Sequence, residues 1–287
     1  MTKLVWDTVG DRIYETGLDR GVLYIPDGSG AYTNGYAWNG LTKLTEKPTG
    51  ATSNKQYADN QLYLNLISVE YFEADLSAVT YPDAFGQCDG TYEPEPGVAI
   101  GQQNRKSFGL CYRTLVGNDL ENTDLGFKLH LVYGAFAAPS QKAFASVNDN
   151  PAAIEFTWTI TTIPVAVSNH KPTATLTIDS TKVDAAALAT LEDMLYGTSG
   201  VNPMLPTPDA VLAIFAGTVT AVDPTVPTYT SATHTITIPT VTGLAYYING
   251  AVVTGDVVIT QDTVVTAQVL PGYKFADNTV NEWEVTF

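Results

Sequence analysis

Between Ile154 and Thr161 apolar and polar residues alternate without a break: Ile154, Phe156, Trp158 and Ile160 interleave with Glu155, Thr157, Thr159 and Thr161. A period of two carried by aromatic and β-branched side chains fits a strand with one buried face and does not fit a helix. The same alternation recurs at 62–72 (LYLNLISVEYF), 127–134 (FKLHLVYG) and 173–179 (TATLTID). The chain is therefore expected to be mainly β, each of these strands burying one face.

One segment breaks the rule. Asp184 is followed by AAALATLEDMLYG, with Leu188, Leu191 and Leu195 at helical spacing, a capping carboxylate in front and Gly197 behind. That predicts one helix at about 185–196. The stretch TSGVNPMLPTPDA that follows carries three prolines and is expected to run extended. A last apolar run, Val211 to Phe215, comes after it.

From residue 218 the composition shifts towards Thr, and short apolar runs at 234–238, 244–248, 256–259, 263–269 and 282–287 are separated by turn residues such as Asn249-Gly250 and Pro271-Gly272. Strands at that spacing predict a small all-β sandwich, with 221–230 (AVDPTVPTYT) as the linker before it. Two domains result, 1–217 and 218–287. In the first, a piece at 82–105 (PDAFGQCDG, EPEPG, GQQNRK) shows no regular pattern and reads as a long loop.

Charge narrows the function. Thirty Asp and Glu against fourteen Lys and Arg give −16 at neutral pH, a balance that repels phosphate backbones and anionic membrane surfaces. Cys88 and Cys111 cannot form a disulfide scaffold and are expected to be reduced thiols, and no Cys/His cluster has zinc spacing. No apolar run reaches the length of a signal peptide core or a membrane span. Phosphate loops, nucleophile elbows, paired zinc histidines and dinucleotide fingerprints are likewise missing. Glu93 and Glu95 lie in a Pro-flanked, solvated stretch, Asn118 to Asp124 lacks the spacing of a calcium loop, and His130 reads as a satisfied histidine on a strand face. No catalytic residue, cofactor site or metal ligand is assigned.

A resemblance covers most of 1–217. The strings WDTVGDRIYETGLDRGVLY (6–24), YADNQLYLNLISVE (57–70), GVAIGQQNRKSFGLCYRT (97–114), GFKLHLVYGAFAAPSQK (126–142), NDNPAAIEFTWTITTIPV (148–165) and KPTATLTIDSTKVD (171–184) are similar, in the same order, to the major tail tube proteins of long flexible-tailed bacteriophages, above all those of phages of actinobacteria. The resemblance implies a tail-tube fold of two packed β-sheets, sandwich or barrel, with one flanking α-helix. It implies hexameric rings stacked into a hollow tube through which double-stranded DNA passes without specific binding. It also implies a place in the virion, synthesis in the host cytoplasm, and contacts with tape measure, tail terminator and distal tail proteins. Residues 218–287 (YYINGAVVTGD, VVTAQVLPGYKF) resemble immunoglobulin-like modules that decorate such tubes. A chain of −16 suits a conduit for DNA, since each cation on phosphate would add a counterion-release term that holds it back.

Under that reading the N-terminal arm, about 1–20, and the 82–105 loop carry the candidate subunit contacts. Their aromatic and cationic residues Trp6, Arg12, Tyr14, Arg20, Tyr24, Arg105 and Lys106 are of the types that anchor interfaces. Two other readings stay open on the sequence alone. One is a β-sandwich module that binds cell-surface carbohydrate, with Tyr246, Tyr247 and Trp283 as stacking platforms. The other is a hydrolase using scattered carboxylates.

Overall fold

The computed structural model describes residues 4–139, 142–147, 149, 152–216, 220–270, 273–276 and 279–287. The protein is mainly β, with several sheets. Up to Thr181 the chain forms β1 (Tyr14–Ile25), β2 (Asn34–Trp38), β3 (Leu41–Glu46), β4 (Ser53–Ala58), β5 (Gln61–Ile67) and β6 (Glu73–Ala78). A 3-10 turn (Asp83–Phe85) runs into α1 (Gly86–Asp89), followed by β7 (Tyr92–Glu95), β8 (Val98–Ile100), β9 (Phe108–Asn118), β10 (Asn122–Ala137), β11 (Phe156–Thr162) and β12 (Thr175–Asp179).

Eight of these strands make one sheet in the order β2-β1-β9-β10-β11-β6-β3, with β12 on β10. Its two end strands, β2 and β3, are joined by only Asn39 and Gly40. A sheet whose opposite ends are two residues apart must roll until its inner face closes on itself, which is how a barrel removes its edges. Gly40 makes the turn at φ 78, and a Cβ there would press on the side chains of Val79 and Thr80. The core fills the roll: Trp38, Leu76, Phe85, Phe108 and Trp158 are buried together. Phe85, supplied by the 3-10 turn, lies 4.6 Å from the Trp38 ring and 5.0 Å from the Trp158 ring.

β10 serves two partners on one side. Its residues Lys128–Val132 pair with β12, and Ala135–Ala137 pair with β11. The fork falls at Gly134, where φ is 58 and a Cβ would overlap the carbonyl oxygen of Ile163. Only glycine combines that backbone region with that approach.

The structure divides into two compact units, Met1–Tyr32 with Tyr36–Thr181, and Thr33–Gly35 with Lys182–Phe287. The boundary expected between 217 and 218 lies outside the described residues. The second unit contains α2 (Ala185–Tyr196), α3 (Pro208–Phe215) and β13 (Thr220–Val222), β14 (Thr228–Thr230), β15 (Thr235–Ile238), β16 (Leu244–Ile248), β17 (Ala251–Val253), β18 (Gly255–Val258), β19 (Thr263–Val269), β20 (Tyr273–Phe275) and β21 (Glu282–Val285). α2 has the expected bounds, and Asp184 accepts from the Ala187 N–H at 2.9 Å. α3 corrects the expectation of a single helix. Pro208 opens it at a position whose N–H needs no partner, and Thr207 caps it by accepting from Ala210 N at 3.4 Å. The sheets β14-β15-β18 and β17-β16-β19-β21 enclose Ile236, Ile238, Tyr246, Val265 and Ala267.

Two further expectations change. The 221–230 segment is not a free linker: β13 pairs in parallel with β20, and β14 pairs with β15. The 82–105 piece is not irregular, since it contains the 3-10 turn, α1 and the β7–β8 hairpin.

Gly134→Ala is expected to lose at least about 2 kcal/mol, while Gly28→Ala, where nothing lies within 4 Å of the added carbon, changes stability by less than about 0.5 kcal/mol. Urea unfolding followed by near-UV circular dichroism measures both.

Candidate functional site

The least expected feature is the ribbon formed by β4 and β5. β3 and β6 pair in the rolled sheet, and the ladder continues beyond it: Lys47 N–H bonds Glu73 O at 2.7 Å, Thr49 N–H bonds Tyr71 O at 2.9 Å, and Ser68 N–H bonds Thr52 O at 3.0 Å. β4 and β5 carry the ladder on to a two-residue turn at Asp59 and Asn60, both at positive φ as the turn matching strand twist requires. Every residue of both strands is exposed.

The alternation at 62–72 predicted one buried face for this segment, and the structure buries neither. Leu62, Leu64 and Leu66 are 48–53% exposed and Tyr63 and Ile67 are 67–69% exposed; a bulge places Leu66 and Leu64 opposite Asn54 and Gln56 but Leu62 opposite Tyr57, so apolar side chains stand on both faces. An isolated two-stranded ribbon is marginal in water, and each exposed Leu or Ile forgoes roughly 1.5–3 kcal/mol that burial would supply. The signal for the ribbon is the turn pair Asp59-Asn60 just before the alternating run that starts at Leu62.

Two other stretches share this character. Leu4, Val5, Trp6, Val9 and Ile13 of the arm are exposed, as are Tyr92, Val98 and Ile100 of the β7–β8 hairpin. The arm is gripped at Gly10, whose N–H bonds the Asp119 carboxylate at 2.9 Å and whose carbonyl accepts from the Asn118 amide at 3.1 Å. Asn118 also accepts from the N–H groups of Leu120 and Glu121, so the 118–124 turn holds the arm.

Among the predicted interface residues, Trp6 is exposed, Arg12 lies 3.9 Å from Asp119, Tyr14 opens β1 with a partly exposed ring, and Arg20 and Lys106 are on the surface. Tyr24 is a correction: it is fully buried, because β1 turns from exposed to buried along its length. Arg105 points inward, 3.6 Å from Asp89 and donating to Ala137 O at 2.9 Å. Arg113 makes a two-point pair with Asp19 at 2.7 and 2.5 Å. In the second unit Tyr246 is a core residue at 2% exposure, its hydroxyl donating to Thr225 O, and Trp283 stacks on it at 6.0 Å. Tyr247, the next residue on β16, is half-buried. Neither face of Tyr246 is available to stack on a sugar, which corrects the expectation for this residue.

A polar cleft of about 470 Å³ opens between β1, β3, β9 and β10. His130 stacks on Tyr112 at 4.6 Å, hydrogen-bonds Thr114 Oγ1 at 2.9 Å and lies 3.5 Å from Glu15. Burial raises the Glu15 carboxyl, but hydrogen bonds from Lys128 and Thr114 outweigh it and hold it below its ordinary range. Burial lowers His130, with Glu15 and Glu46 opposing. The Tyr112 hydroxyl is pushed up by burial and by its bond to Glu46. Elsewhere the Cys88 thiol is pushed up to about 12 by burial, so it stays protonated at neutral pH. These groups hold one another rather than a reacting atom. Among the described residues no group of three or more His, Cys, Asp or Glu is placed to hold a metal, and no helix is long and apolar enough to cross a membrane.

No protein-family model matches the chain, and no curated protein has a significantly similar sequence.

The cleft fixes a pH response. A histidine whose folded value is lowered favours the neutral form, so its contribution is present above the unfolded value near 6.5 and is lost as pH falls through the window below it. Glu15 has the same sign at lower pH, contributing above its unfolded value near 4.5 and losing that contribution on further acidification. Urea midpoints are expected to fall from pH 7 to pH 5, and to fall less in His130→Gln.

Proposed function

We propose that this chain is a structural subunit that assembles with copies of itself into stacked hexameric rings, forming the tail tube of a bacteriophage and the conduit for its double-stranded DNA. The observation that carries the reading is the β4–β5 ribbon: a paired element that leaves Leu62, Tyr63, Leu64, Leu66 and Ile67 all in solvent. Soluble proteins that work alone suppress such elements, because exposed strands with apolar faces template association. The ribbon grows out of the β3–β6 ladder, so its direction is fixed by the rolled sheet, as a repeating contact between identical subunits needs. The arm and the β7–β8 hairpin supply further contacts of the same kind.

The charge fits the same role. Cations are few, and several are already paired within the chain: Lys47 with Asp75, Arg113 with Asp19, Lys128 with Glu15. What remains favours a wall that DNA slides past. Tape measure, tail terminator and distal tail proteins are then the expected partners at the ends of the tube.

Electron microscopy of the purified chain is expected to show rings or tubes of uniform diameter. The triple substitution L62S/L64S/L66S removes only exposed side chains, so it should keep the far-UV spectrum and abolish assembly. A wild-type chain that stays monomeric at high concentration, or a triple variant that assembles normally, would overturn the proposal.

A further inference from the structure

Tyr81, Phe156 and Trp158 meet mostly edge to face. Tyr81 lies 5.3 Å from Phe156 and 5.5 Å from Trp158, and the last two rings are 6.0 Å apart. Beside them sits Asp89, the last residue of α1, its side chain 7% exposed. One carboxylate oxygen accepts from Trp158 Nε1 at 3.0 Å and lies 3.6 Å from the Arg105 guanidinium. The other accepts from Lys142 Nζ at 3.0 Å. That ammonium stands 5.9 Å from the centre of the Tyr81 ring and 5.8 Å from that of Phe156.

Counting charge shows why this is more than an ion pair. One carboxylate faces two cations, so after Arg105 has neutralised Asp89 a further positive charge is held at a half-buried place. The ring faces, negative at their centres, are what accept it. We infer that Asp89, Tyr81 and Phe156 form a receptor for a primary ammonium group, and that within the single chain Lys142 fills it.

The walls are held without their occupant. Asp89 is fixed by Trp158 and Arg105, and the rings are fixed by one another and by the core they join. Lys142 lies between β10 and β11, outside regular structure, and its neighbours Phe144 and Val147 are 77% and 86% exposed. The receptor therefore positions Lys142, rather than local packing of its own segment. The ligand class is an unbranched primary alkylammonium, the chemistry of the lysine side chain itself. The site is independent of the tail-tube reading and stands whether or not the chain assembles.

The test uses full-length Lys142→Ala titrated with n-butylammonium chloride against sodium chloride at equal ionic strength. The Trp158 indole N–H, which reports on Asp89, is followed by NMR, and Tm is followed in parallel. A saturable shift of that resonance with a rise in Tm is expected in Lys142→Ala, and neither in the wild type, whose site is filled, nor in Asp89→Asn/Lys142→Ala. No saturable response in Lys142→Ala, or an equal one in the wild type, would overturn the inference. Should Lys142→Ala not fold, competitive acetylation of the wild type read by mass spectrometry decides: Lys142 is expected to react more slowly than exposed Lys55, and equal rates would overturn it.

Discussion

Closure of the sheet by Asn39 and Gly40 is the constraint on which the first unit depends. Because β2 and β3 belong to opposite ends of the sheet yet follow one another directly, the strands between them have one way to curve. Their alternate side chains must then share a single interior. Trp38, Phe85 and Trp158 pack ring against ring within it, and Phe85 enters from the 3-10 turn rather than from a strand. The Trp38 indole N–H, bonded to Thr80 O at 2.9 Å, ties the closing turn to the strand end beside it.

The roll also explains the ribbon. β3 and β6 are neighbours at the sheet's end, and their ladder has no reason to stop where the core stops, since backbone hydrogen bonds are indifferent to what the side chains face. Extending the ladder costs conformational entropy, however, and side chains in solvent do not offset it. An extension that leaves Leu62, Leu64, Leu66 and Ile67 in solvent is consistent with burial against something else. In the proposed tube that something is another copy, and rigidity inherited from the β3–β6 pairing lets one contact repeat with the same geometry.

Much of this was legible in the sequence where a rule of local chemistry operated alone. The alternation at 154–163 became β11, and the strands at 234–248 and 263–269 and helix α2 fell within a residue or two of their expected bounds. What was not legible depended on partners distant in sequence. The alternation at 62–72 reads identically whether a face is buried by the chain's own core or left bare, so periodicity revealed the strand but not its exposure. Tyr24 illustrates the converse. An aromatic near the end of the arm looks like an interface anchor until β1 is seen to enter the core at Val22. α3 departs from the extended run that three prolines imply because one of them stands at the position where proline starts a helix.

The acidic balance and the apolar projections act against each other, and that opposition shapes what the subunit can do. Like-charged copies repel, at long range in dilute salt and within about 10 Å at 0.1 M ionic strength. In the proposed tube, attraction between copies comes from short-range burial of the ribbon, the arm and the β7–β8 hairpin. Such a subunit has a barrier to meeting and a gain on docking. In the proposed tube, that combination makes assembly of the chain depend on concentration and on salt.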